Sequence, residues 1–122
     1  MMRLVKFLAK LLVILVALVS SLIYGCNAMN RSARYQCEQE RSPTGQYIGE
    51  TCFLPREYGA LFRLYEARTG ELLAERTYIE PEPHKNLIWN PIFVQYDLGA
   101  TENNGVVDLP PTWLDRVRAK LP

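Results

Sequence analysis

Tyr35 to Leu54 reads YQCEQERSPTGQYIGETCFL, two runs of extended character joined by Ser42-Pro43-Thr44-Gly45, with one cysteine on each run. In the joining tetrapeptide, proline presets φ at the second position of a type I turn and glycine accepts the left-handed conformation that follows. Antiparallel partners keep a constant index sum, so a turn centred between Thr44 and Gly45 places Cys37 opposite Cys52. The stretch is therefore expected to be a hairpin stapled by a disulfide. The same register sets Tyr35 across from Leu54 and Arg41 across from Ile48, with Tyr35, Ile48 and Leu54 on the face that carries both sulfurs. A three-residue loop with a glycine bulge slips that register by one, and two buried free thiols are the alternative to the bridge.

Upstream lies a targeting segment, residues 1 to 26. Arg3, Lys6 and Lys10 form a basic start, and Leu11 to Ile23 carries no charge. That run has the length of a signal-peptide core and falls short of the roughly 20 residues of a comfortable membrane span. Its closing residues, Leu22-Ile23-Tyr24-Gly25-Cys26, resemble a bacterial lipobox, which implies lipidation of Cys26 as the mature N-terminus. Two alternatives stay open: an uncleaved anchor from Phe7 to Tyr24, and plain secretion. All three place the rest of the chain outside the cytoplasm, on the periplasmic side of a bacterial envelope. Lipidation of Cys26 also closes the cysteine count, because it leaves Cys37 and Cys52 to pair. Asn27 follows Cys26, and by resemblance to enterobacterial sorting the destination is the outer membrane. Residues 27 to 33 (NAMNRSA) read as a polar tether, and residues 34 to 122 as one small domain.

Downstream, Leu61 to Glu66 and Glu71 to Ile79 flank Ala67-Arg68-Thr69-Gly70 and read as a second hairpin. Phe62 and Leu64 alternate with Arg63 and Tyr65. With a bulge at Gly70, Ala67 faces Glu71 and Arg63 faces Glu75 as an ordinary surface ion pair. Pro55 to Gly59 is a tight link, giving a four-stranded meander. Glu80 to Asn86 (EPEPHKN) is a loop, and Leu87 through Asp97 reads as a fifth strand interrupted at Asn90-Pro91. Leu98 to Asn104 is a turn, and Gly105 to Leu109 a short sixth strand. Pro110-Pro111-Thr112 then opens a helix whose Trp113, Leu114, Val117 and Leu121 share one face. The expected fold is mainly β within the α+β class: a single antiparallel meander of five to six strands, preceded by the signal or anchor helix. The C-terminal helix is expected to pack its apolar face on that sheet.

Ser42-Pro43-Thr44-Gly45-Gln46-Tyr47-Ile48, then Leu64-Tyr65 with Thr69-Gly70-Glu71-Leu72-Leu73, then Ile88-Trp89-Asn90-Pro91, is similar to the SPDG-type blade repeat of periplasmic β-propellers. The chain has room for one blade and part of another, so a closed propeller would need oligomerisation. Small exported chains of this kind also resemble envelope lipoproteins that include immunity proteins against delivered toxins, which implies a protein-binding role.

Candidate chemistry is sparse. His84 is the one histidine, so Zn sites of the usual His-rich or Cys-rich kinds and Ser-His-Asp or Cys-His catalysis lack their groups. Glu80 and Glu82, flanking Pro81, read as solvated carboxylates. No phosphate-binding glycine loop is present. Outside Arg3, Lys6 and Lys10 acidic residues outnumber basic ones, which argues against nucleic acid and against general anionic-lipid binding. The expectation is thus a non-enzyme without cofactor or metal, anchored to the membrane and binding another protein. A structural or assembly lipoprotein of an envelope complex is the alternative. The expected contact surface is Glu80, Glu82, His84, Lys85, Trp89 and Tyr96, a charged loop leading into aromatic residues.

Overall fold

In a computed structural model, which describes residues 1–56, 58–83, 87–100 and 105–122, the chain divides into two compact units, Met1–Ser32 and Ala33–Pro122. The first is a single helix, α1 (Met2–Ser32), with no buried residue. At about 1.5 Å per residue its 31 residues exceed the roughly 30 Å of a bilayer core, and it is apolar enough to cross a membrane. Most of the polar tether, Asn27 to Ser32, continues this helix.

The second unit is α+β and begins with the expected meander: β1 (Tyr35–Arg41), β2 (Tyr47–Phe53), β3 (Gly59–Glu66) and β4 (Leu72–Ile79), hydrogen-bonded in that order. Arg41 pairs with Ile48 and Glu38 with Thr51, as the index sum requires. The Cys37–Cys52 disulfide closes the strand pair. Beyond it the register slips, and Tyr35 lies across from Phe53 and not from Leu54. Two contacts account for the slip: the Tyr35 ring stacks on Phe53 at 5.6 Å, and Leu54 N–H donates to Gly59 O at 2.9 Å, drawing Leu54 into the link to β3. Gln36 absorbs the change with φ of 49°, a bulge conformation.

In the second hairpin Arg63 lies across from Glu75 as expected. Their ion pair, at 3.1 Å, is more sheltered than an ordinary surface pair, with side chains 17% and 22% exposed. Ala67 does not face Glu71; its N–H donates to Gln46 O, and Glu66 N–H donates to Glu71 O instead. The two hairpin turns are thereby tied to each other.

The single sheet of five to six strands is not what forms. Among the described residues there is a second sheet, with β6 between β5 and β7: β5 (Ile88–Trp89), β6 (Phe93–Gln95) and β7 (Val106–Asp108). At Asn90-Pro91, where only an interruption within one fifth strand was expected, the chain reverses and β5 pairs antiparallel with β6. Asn90 N–H donates to Phe93 O at 2.8 Å, and Asn90 Oδ1 accepts from Ile92 N–H at 3.2 Å. Pro91 supplies the preset φ of the turn's second position. The small sheet then covers one face of the meander. Phe62, Leu64 and Ala74 from the meander meet Leu87, Val94 and Val107, with Tyr47, Tyr78, Trp89, Tyr96 and Leu109 around them. Gly49 makes this approach possible: a Cβ there would lie 2.4 Å from Leu87 Cδ1 and 3.3 Å from Trp89 Cζ2.

Helix α2 (Trp113–Ala119) starts after the two prolines and not within them: Thr112 is its N-cap, with Oγ1 accepting from Asp115 N–H at 3.2 Å. Its orientation is the reverse of the expected one. The residue it buries is Asp115, ion-paired with Arg76 of β4. Trp113, Leu114, Val117 and Leu121 are 75%, 50%, 48% and 58% exposed. The reason is competition: the apolar face of the meander, built on Phe62, Leu64 and Ala74, is already taken by β5–β7. What β4 offers the helix is Arg76, and Asp115 answers it.

Within the core the Tyr78 hydroxyl is buried without a hydrogen-bond partner among the described residues. Burial, with the charges of Asp97 and Glu80, pushes its pKa well above the usual phenol range. A phenol that ionises less readily when folded contributes stability below its unfolded pKa of about 10. That stability is lost as pH rises above 10 toward the folded value. Tyr78→Phe removes the unsatisfied hydroxyl, so we expect a gain of about 1 kcal/mol at neutral pH and an alkaline unfolding midpoint shifted upward. Thermal melts across the alkaline range measure both, and a variant less stable than wild type at neutral pH would contradict the account.

Candidate partner-binding site

The turn that opens β2 is held by its own side chains. Ser42 N–H donates to Tyr47 O and Gly45 N–H to Ser42 O, each at 2.9 Å, while Ser42 Oγ accepts from Tyr47 N–H at 3.1 Å. Gly45 takes the left-handed conformation expected of it, with φ of 76°. The Asn90–Phe93 turn of the small sheet approaches this first turn. Between them runs a groove of about 250 Å³ lined chiefly by Pro43, Tyr47, Trp89, Pro91 and Leu109. On the other side of Thr44–Tyr47 is a second, charged cleft of about 430 Å³, bordered by Glu66, Arg68, Glu71 and Arg116. One short rigid turn therefore divides an aromatic and proline-lined surface from a charged one.

The Trp89 wall of the groove is fixed from β1. Glu40 accepts from Trp89 Nε1–H at 3.1 Å through one carboxylate oxygen and from Leu87 N–H at 3.2 Å through the other. Both partners belong to the segment entering the small sheet, so a single side chain ties the edge strand of the meander to its covering layer.

No protein-family model, curated protein or solved structure matches this chain.

Of the residues expected at the contact surface, Trp89 and Tyr96 are half-buried and both pack on the core. The Tyr96 ring stacks on Phe62 at 4.9 Å and meets Tyr78 edge-on at 5.0 Å. Burial raises its pKa, against the lowering effect of Arg76. Trp89 keeps one edge on the groove, whereas Tyr96 is not among the groove's residues. Glu80 is half-buried and its Oε1 accepts from the N–H of exposed Glu82 at 3.1 Å. Neither carboxylate borders the groove. His84 and Lys85 lie outside the described residues. Pro43, Tyr47, Pro91 and Leu109 were missed as site residues because their local signal is turn and strand chemistry. The available clue was that the two proline turns bracket the tryptophan.

On the opposite face of the meander the disulfide has a buried neighbour. The Glu50 carboxylate accepts from Gln39 Nε2 at 3.0 Å and from the Tyr65 hydroxyl at 3.3 Å, with Arg34 at 4.0 Å. Burial raises the Tyr65 pKa, and the Glu50 charge adds to it against Arg63 and Arg34. Glu50 Oε1 also lies 3.6 Å from Cys52 Sγ, a contact without a proton, since a disulfide sulfur carries none. Cys37, Glu50 and Cys52 cluster closely enough to hold an ion, but the metal ligand is the thiolate, and these sulfurs are oxidised. The group therefore serves to seat the staple.

Proposed function

We propose that this chain is a membrane-anchored protein of the bacterial envelope whose globular unit binds another protein through the groove at Trp89. The observation that carries the reading is the groove's makeup: a fixed tryptophan, a tyrosine and two prolines beside a cleft bearing Arg68. Tryptophan, tyrosine and arginine are the residue types that dominate binding energy at protein interfaces. A rigid wall also loses little conformational freedom on association. Membrane attachment is supported by α1, apolar and long enough to span, and Cys26, exposed and outside the disulfide, is the thiol that lipidation would use. Neutralising a toxin delivered into the envelope is the form of binding that the lipoprotein resemblance implies. The contact surface moves accordingly from the Glu80–Glu82 loop to the Ser42–Tyr47 and Asn90–Pro91 turns.

Photo-crosslinking residues placed at exposed Asn90 and Arg68 of the full chain, in membranes of producing cells, test this. We expect both positions to capture the same single protein. Exposed Thr77, on the other face of β4, should not capture it. Arg68→Glu should weaken capture at Asn90 about tenfold, in line with a loss of roughly 1.4 kcal/mol at an interface charge. No capture at either position, or equal capture at Thr77, would overturn the assignment.

A further inference from the structure

Helix α2 points its apolar side away from the domain that holds it. Asp115 marks the inward direction, buried and paired with Arg76. At about 100° per residue, Trp113, Val117 and Leu114 fall on the opposite side as one stripe, Leu121 follows just past the helix end, and all four are exposed. Arg116 and Lys120 border the stripe on one flank and Arg118 on the other, each of them exposed. The helix thus carries an outward apolar stripe between two basic margins. Its one acidic group is neutralised from within the domain.

We propose that α2 is a membrane-surface contact, lying in the plane of the bilayer with Trp113, Leu114, Val117 and Leu121 inserted at the headgroup boundary and Arg116, Arg118 and Lys120 on anionic phosphates. The proposal rests on the membrane anchoring proposed above. Three features select a bilayer as the occupant. The pattern is that of interfacial helices, which combine an apolar face bearing tryptophan with long cationic side chains that reach back to the headgroups. The charge is local: the exported part is acidic as a whole, while the exposed charges of α2 are all basic, the sign an anionic leaflet attracts. The third feature is proximity. Only Ala33 and Arg34 separate α1 from β1, and an acylated Cys26 would leave the short stretch of residues 27 to 34 as the link. A short amphipathic helix binds lipid weakly when free, but a tether makes the second contact intramolecular and raises its effective concentration to the millimolar range. A second copy of the chain would instead bring Arg116, Arg118 and Lys120 against their like, which opposes pairing at this face.

Tryptophan quenching by brominated lipids in vesicles bearing the full chain provides the test, with Trp113→Phe isolating the contribution of Trp113 from that of half-buried Trp89. In phosphatidylglycerol-containing vesicles we expect strong quenching of wild type that is largely lost in Trp113→Phe. Leu114→Asp and Val117→Asp should lose it too, with the melting temperature unchanged because both side chains are exposed. Replacing Arg116, Arg118 and Lys120 by glutamine should reduce quenching in anionic vesicles to the level seen in purely zwitterionic ones. Salt near 1 M, where the Debye length is about 3 Å, should do the same to wild type. If the chain floats with the vesicles yet Trp113 is unquenched, anchoring stands and the α2 contact is refuted. Unquenched Trp113 together with self-crosslinking at Val117 would assign the stripe to a second copy instead. A chain that does not float with vesicles overturns the anchoring reading and this inference with it.

Discussion

Replacing exposed Cys37 by serine and buried Cys52 by alanine in one variant is expected to lower stability by about 3 kcal/mol, the chain-entropy value for a closed loop of roughly this size. The two cysteines are 15 residues apart. For a domain of under 100 residues each kcal/mol corresponds to roughly 4–8 °C, so the melting temperature should fall by on the order of 10–20 °C. Reduction of wild type should reproduce the shift, since both treatments release the same loop. The location of the bridge sharpens the expectation. Six of the seven residues of β1 are exposed, Glu40 being the half-buried one, so burial of its own side chains does little to hold the strand. Amide exchange in β1 should accelerate before exchange in β3, which contributes the fully buried Leu61, Phe62 and Leu64. An unchanged melting temperature on reduction would show that the bridge is not a stabilising element.

How far the sequence could be read varied with the range of the interactions involved. The first hairpin was legible because its register follows from turn chemistry and index arithmetic, both local, and Arg41 does face Ile48. The slip at Gln36 was not, because it depends on Tyr35 stacking on Phe53 and on Leu54 bonding to Gly59, contacts that local pattern does not encode. The pairing of Arg63 with Glu75 was legible for the same reason as the first hairpin, whereas its shelter depends on how the strands are covered. Asn90-Pro91 announced a turn in plain chemistry, yet a run of apolar residues on either side reads equally as one strand or two. Only the vacancy above Gly49, filled by Leu87 and Trp89, decides for two. The helix illustrates a different limit. Periodicity finds an apolar stripe but not what the stripe faces, and the inward assignment failed because another layer had taken the sheet. Trp89 was visible as an aromatic candidate, but Pro43 and Tyr47, which face it across the groove, come from a turn some 45 positions earlier in the chain, a distance only the folded topology spans.

Glu40→Ala should then be the most damaging single change on the surface of β1, at about 3 kcal/mol. The carboxylate makes two hydrogen bonds, to Leu87 N–H and Trp89 Nε1–H. Hydrogen bonds to a charged group contribute about 1.5–3 kcal/mol each, and the lower end applies to a half-buried acceptor. Alanine leaves both donors without their acceptor, whereas Glu40→Gln keeps one oxygen and should cost about half as much. A double-mutant cycle with Trp89→Phe isolates the indole bond, and a coupling of at least about 0.5 kcal/mol is expected if the two side chains act on each other directly. A Glu40→Ala variant within about 0.5 kcal/mol of wild type would place the residue among ordinary surface positions. The consequence extends to binding. Glu40 holds the wall against which a partner would close, so its loss should weaken capture at Asn90 even under conditions where the domain remains folded and its disulfide intact. Loss of the disulfide, which lies on the opposite face of the meander beside Glu50, should leave capture by the surviving folded fraction unchanged. Measuring both variants at equal folded fraction separates a residue that shapes the groove from one that merely keeps the sheet together.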